Sequence, residues 1–491
     1  MRCRGAAPVL VAVAVLFAAC GSVTQREIAP LGAASPPPGP AASLTPLQGG
    51  SGAFMGSATS TGLAAAGYVQ HEYAASGLAS SYRATTALAH DGRWSFVVDG
   101  HAHYRTRVLI RRPADPARFS GTVVVEWLNV SGGVDADPEY TSFRDEILRQ
   151  GDIWVGVSAQ LIGVVGGPVL VSVPVAAQFT GKGLVGIDPA RYGSLRHPGD
   201  GFSFDIFTQV ARALRRGGPA MGSRRPKLVL AVGESQSAIA LTTYVNGVQP
   251  LSHEFDGYIL HSRAGAPLPL VGPGQYADLA HAIGTTPVIV RTDGAPPVIE
   301  LQAESDVTGV LDSAAARQPD SGRFRLWEVA GTAHADVHLL GSVSRSIDCG
   351  APINDGPMHL VAAAALHDLD RWLRTGIPPP HAPRLKLLDG PPAQVARDAD
   401  GIAIGGIRTP PISVPAVVLS GMHGPSTSLL CLLLGSTTPM AASRLDRLYG
   451  SRSSYLARYS ANSTKTIRAG WVLADDRAAL LGYARPAAIA P

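Results

Sequence analysis

KLVLAVGESQSAIALTTYV, residues 227–245, decides the fold. KLVLAV is a short apolar run of strand type, SAIALTTYV is helical, and GESQS is the turn that joins them. A serine held at the apex of so tight a turn needs small residues two positions before and two after it, because the strand and helix nearly touch there. Gly233 meets that need fully and Ser237 adequately, so Ser235 is the candidate nucleophile. The other reading of Ser235 is a helix N-cap with no chemical role.

Outward from this stretch, short apolar strands alternate with amphipathic helical segments from Trp94 onward. WSFVVDG (94–100), HYRTRVLIRRP (103–113), TVVVEWLNV (122–130) and DIWVGVSAQ (152–160) come before it, with helices over 140–150 and 202–216. FDGYILHS (255–262), PPVIELQA (296–303) and FRLWEVA (324–330) follow as strands, and VAAAALHDLDRWLRTG (361–376) as a helix. This alternation predicts an α/β fold with a mostly parallel central sheet covered by helices on both faces.

A serine hydroxyl becomes a useful nucleophile only when a base takes its proton, so an oriented histidine should follow in the chain. His334 stands after the strand FRLWEVA and the small-residue loop GTA. Asp306 ends PPVIELQAESD and is the expected acid, with Glu304 as the rival two residues earlier. Both follow strands at their carboxyl ends, where open α/β sheets place their sites. Stabilising a tetrahedral oxyanion needs two donors: the Gln236 amide is one, and the glycine-bearing turn Asn129-Val130-Ser131-Gly132-Gly133 should give the other, from Val130 or its neighbour Asn129.

VVVEWLNVSGG (123–133), VGVSAQ (155–160), RYGSLRHPGD (191–200), VGESQSA (232–238), LQAESD (301–306) and CGAPIN (349–354) together resemble one α/β-hydrolase-domain family, from about residue 60 to the end. The resemblance implies an α/β-hydrolase fold and a serine-esterase-like Ser235, Asp306, His334 triad. It implies no particular substrate, since those of the family are mostly unassigned and a shared fold does not settle one.

The N-terminus reads as an export signal: Arg2 and Arg4, an apolar run from Pro8 to Phe17, then Ala18, Ala19 and Cys20. Residues 1–19 are the expected signal peptide, and Cys20, set as in a bacterial lipobox, is the expected lipidation site. Phe17 stands where leucine is usual, so cleavage without lipidation is the other outcome. Either way the chain is expected outside the cytosol, anchored in the bacterial envelope through Cys20 or otherwise secreted. Cys349 and Cys431 then remain as a possible disulfide. Residues 20–60, rich in Ala, Gly, Ser and Pro, read as a tether, and 61–491 as the catalytic domain. Within it, 161–201 reads as a cap insertion and 384–491 as a C-terminal elaboration. LIGVVGGPVLVSVPVAA (161–177) is uncharged, yet its Gly-Gly-Pro and second Pro argue against a membrane span.

With 46% hydrophobic and 16% charged residues the chain is globular, and its net charge of +4 falls close to neutral once Arg2 and Arg4 are removed. Lysine is scarce and no basic stripe is present, so nucleic acid is not an expected partner. No cofactor is expected, and no metal: His101 with His103 lacks a third ligand, and His334 with His338 lacks the HExxH pattern. Arg191, Tyr192, His197 and Asp200 either line the cleft or order the cap. The expected partner is a small ester with an apolar part, and the membrane is met only through the lipid anchor. Acyl transfer to envelope lipids or sugars, and a catalytically idle lipid-binding or interaction protein, are the alternatives.

Overall fold

The computed structural model describes residues 38–57, 62–172, 177–283, 285–390 and 392–491. The export signal, Cys20 and much of the tether lie outside the described residues. Nine strands form one sheet: β1 (Ser43–Pro46), β2 (Tyr68–Ala84), β3 (Phe96–Pro113), β4 (Thr122–Trp127), β5 (Ile153–Val157), β6 (Leu228–Glu234), β7 (Gly257–His261), β8 (Val298–Ala303) and β9 (Phe324–Val329). Their order is β1-β2-β3-β5-β4-β6-β7-β8-β9. The pairs from β5 through β9 are parallel, while β1, β2 and β3 run antiparallel to their neighbours.

The parallel strands are buried at every position, which is why they read as unbroken apolar runs rather than as alternation. Their period of two still sorts side chains to two cores. Val123, Val125, Trp127, Val229 and Ala231 join the helix Ser203–Arg216 in one. Val124, Leu128, Leu230, Val232 and Ile259 join the helices Pro138–Gln150 and Met358–Thr375 in the other.

Two expectations need correction at the N-terminal side. The regular structure does not begin at Trp94, because β2 precedes it and makes a long hairpin with β3. Nor is the stretch to residue 60 tether throughout: β1 pairs with β2 from Ser43 to Pro46. The segment after it is fastened by Arg191, which donates to the carbonyls of Leu47 (3.0 Å) and Gly49 (2.7 Å), and by Asp188, which accepts from the Ser51 amide at 2.6 Å. Four residues, Ser-Leu-Thr-Pro, are too few to show a periodicity, so only their ladder to β2 marks them as a strand.

Residues 173–176 lie outside the described residues, and among the described ones the 161–201 insertion holds the short α-helices Leu161–Val165, Gly183–Ile187 and Pro189–Tyr192. No helix among the described residues is long and apolar enough to cross a membrane. The RYGSLRHPGD residues order this insertion. Arg191 (at 2.5 Å) and Tyr192 (at 2.9 Å) both donate to Glu72, His197 Nε2 meets the Ala159 carbonyl at 2.8 Å, and Asp200 accepts from the amides of Leu161 (2.7 Å) and Ala277 (2.8 Å). Beyond β9 the C-terminal segment adds two small two-stranded sheets and the helix Arg452–Arg468, and Trp471 packs edge-on against Trp327 of β9. Cys349 and Cys431, 82 residues apart, are joined in a disulfide that fastens this segment to the core.

Candidate active site

Ser235 follows β6 directly and caps the helix Gln236–Thr243, with φ 62° and ψ −123°. A left-handed φ at a non-glycine residue stores strain, and the surroundings hold it: the Ser235 amide donates to the His261 carbonyl at 2.8 Å. Gly233 is required here, since a Cβ on it would come within 2.8 Å of the Ser237 Cβ.

His334 Nε2 lies 2.9 Å from Ser235 Oγ, and its Nδ1 lies 2.9 Å from Asp306 Oδ1. Asp306 is fully buried, and its Oδ2 accepts from Ser262 Oγ at 2.6 Å and from the Ala303 amide at 2.8 Å. The His334 amide donates to Ser305 Oγ at 2.7 Å. The imidazole is therefore held at both nitrogens and at its backbone. With Asp306 accepting, Nδ1 carries the proton and Nε2 is free to accept one from Ser235.

Glu304 is brought elsewhere. It accepts from the amides of Gly331 (2.6 Å) and Gly421 (2.8 Å) and from Arg397 (2.5 Å), so it ties the loop before His334 to the C-terminal segment. The rival acid thus has a structural place, and Asp306 alone of the two touches His334.

The expected oxyanion donors are together but engaged with one another. Gln236 opens its helix, so its amide has no acceptor within that helix. The Val130 amide, however, donates to Gln236 Oε1 at 3.3 Å, and Gln236 Nε2 donates to Gln160 Oε1. Asn129 is a brace: its Nδ2 donates to the Glu234 carbonyl at 3.0 Å and its Oδ1 accepts from the Ser131 amide at 2.8 Å. The turn is anchored from below by the fully buried Arg107, which donates to Asp135 (2.6 Å) and Glu72 (3.3 Å).

Ser235 and His334 open into a cavity of about 240 Å³. Val134 comes from the turn, Val171 from the insertion, Leu339 and Leu340 from the segment after His334, and Leu430 and Leu433 from the C-terminal helix Leu429–Leu434. Under the cavity floor lies a buried titratable group that sequence reasoning missed. Burial pushes the Glu234 carboxyl up to about 8 and Glu139 well above the usual carboxylate range, while the same desolvation lowers His261. Ser262, Ser305 and the leucines of 429–434 were missed as well. Ser262 alone gave a signal, as a polar residue directly after an apolar strand.

A model of the alpha/beta hydrolase domain family matches residues 43–482. The chain belongs to that family. Among solved structures, this hydrolase is similar to a fungal esterase from Rhizomucor miehei (13% identity, 60% of this chain and 84% of that one, TM-score 0.31). It is similar to a thermostable esterase from Pseudomonas putida (13% identity, 61% and 83% covered, TM-score 0.31) and to a serine hydrolase without a lid from Xanthomonas campestris (12%, 60% and 95%, TM-score 0.30). No curated protein matches it.

The two carboxylates separate by mutation. Asp306→Asn should lower kcat for an aryl ester by roughly 10³–10⁴-fold with the fold intact. Glu304→Gln should leave kcat within about tenfold while costing roughly 1–3 kcal/mol of stability. Paired kinetics and denaturation measure both, and the reverse pattern would make Glu304 the acid.

Proposed function

We propose that this hydrolase is a serine esterase. The observation that carries the reading is the hydrogen-bonded run Ser235–His334–Asp306 at the mouth of an apolar cavity. His334 Nε2 takes the hydroxyl proton as Ser235 Oγ bonds to the ester carbonyl carbon. Asp306 stabilises the imidazolium through Nδ1, and the carbon–alkoxide bond then breaks as Nε2 returns the proton to the leaving alcohol. Water, deprotonated by the same imidazole, releases the acid and regenerates Ser235. The Gln236 amide is the first donor to the oxyanion, and the Val130 amide is the second once Gln236 Oε1 gives way to the substrate oxygen. No step calls for a cofactor.

The leucines and valines of the cavity suit an ester whose acyl or alcohol part is apolar. The signal-like N-terminus supports export with lipid attachment at Cys20, and the Cys349–Cys431 disulfide fits an oxidising compartment. Membrane partition of wild type that is lost in Cys20→Ala tests the anchor, and partition unchanged in the variant would remove it.

The substrate reading is tested with p-nitrophenyl esters of increasing acyl length. Wild type should turn them over, and Ser235→Ala should not. Leu433→Trp, which fills the cavity, should lower kcat/KM for long relative to short esters by roughly tenfold or more. An unchanged ratio would place the apolar part of the substrate elsewhere, and no turnover of any ester would sink the esterase reading. Added alcohol acceptors show in the same assay whether the acyl group passes to water or to an alcohol.

A further inference from the structure

Glu139 in the first turn of its helix, Glu234 at the end of β6 and His261 at the end of β7 converge behind Ser235, with one ligand atom from each inside 4.8 Å of the others. His261 Nδ1 stands 3.2 Å from Glu139 Oε2 and 3.6 Å from Glu234 Oε2. All three side chains are buried, and among the described residues Glu139 Oε1 and Glu234 Oε2 have no hydrogen-bond partner. A single Nδ1–H cannot fully satisfy both carboxyl groups, and buried carboxyl oxygens left without a partner are costly. The charges acting on Glu234 besides His261 are further carboxylates, those of Glu139, Asp306 and Asp336.

A cation between the three would answer all of this, and the spacing indicates which kind. Ligands held tetrahedrally at about 2.0–2.2 Å from a zinc ion lie about 3.3–3.6 Å from one another, close to the two separations observed from His261 Nδ1. Calcium and magnesium take six or more oxygen ligands and suit an imidazole poorly, whereas one imidazole with two carboxylates suits a zinc-class ion. We propose that Glu139, Glu234 and His261 bind one Zn²⁺ through Glu139 Oε2, Glu234 Oε2 and His261 Nδ1. Glu234 also lines the cavity, so a water entering from there supplies the fourth ligand. The backbone that carries two of the ligands is braced: Glu126 accepts from the Glu139 amide at 3.0 Å, and Asn129 donates to the Glu234 carbonyl. The ion would clamp the helix Pro138–Gln150 to the ends of β6 and β7. This site is independent of whether Ser235 attacks esters.

The test is metal content. The purified full chain, incubated with excess ZnSO₄ and desalted, should retain about one zinc ion per chain by inductively coupled plasma mass spectrometry. Its thermal midpoint should rise with zinc and fall with EDTA. The double variant Glu139→Gln/His261→Gln should retain none beyond surface background. Wild type holding no more zinc than that variant, with a midpoint indifferent to zinc and chelator, would overturn the site in favour of carboxyls sharing protons. Should the variant fail to fold, anomalous scattering at the zinc edge from wild-type crystals decides: a peak among the three side chains is expected, and its absence there overturns the proposal.

Discussion

The site depends on one strained residue. Ser235 holds a left-handed φ of 62° at the end of a fully buried strand, and the chain must leave that strand and enter a helix within a single turn. Such a conformation costs about 1–3 kcal/mol and persists only where the surroundings leave no alternative. Here β4 and β7 flank β6, Gly233 lets the helix approach, and the His261 carbonyl captures the Ser235 amide. The strain aims Oγ out of the sheet toward His334 and leaves the Gln236 amide at an open helix start.

What surrounds that turn comes from distant parts of the chain. Asp306 and His334 follow β8 and β9, while Ser262 follows β7 and steadies the carboxylate. The C-terminal segment does more than cover the fold. It supplies one cavity wall through Leu430 and Leu433, and the Ala335 amide donates to the Leu433 carbonyl at 3.2 Å, joining that wall to the loop of the candidate base. The disulfide, with Cys431 two residues before Leu433, closes a loop of sequence separation 82 beside this contact and contributes about 4.5 kcal/mol in the chain-entropy model. Glu304 performs the matching task from the core side through Gly331, Gly421 and Arg397.

The parallel strands were legible because burial on both faces leaves an unbroken apolar run, and the candidate residues Ser235, Asp306 and His334 could be picked out because Ser235 follows such a run at once and the other two stand a few residues past the ends of β8 and β9. β1 and β2 were not. β1 has four residues, and β2 mixes small and polar residues whose placement depends on pairing with β3. The choice between Glu304 and Asp306 turned on which side of one short helical turn each leaves, a difference that two residues of sequence barely express. Glu139, Glu234 and His261 lie on three separate elements, so no spacing announces them. The turn at Asn129–Gly133 was found, but not that Gln236 Oε1 would reach across to the Val130 amide.

The most direct measurement is reaction of the folded chain with a fluorophosphonate probe, with the adduct located by peptide mass spectrometry. Ser235 made nucleophilic by His334 predicts one adduct, on Ser235, that is lost in His334→Ala. A folded chain that takes up no probe, or takes it up elsewhere, would contradict the account.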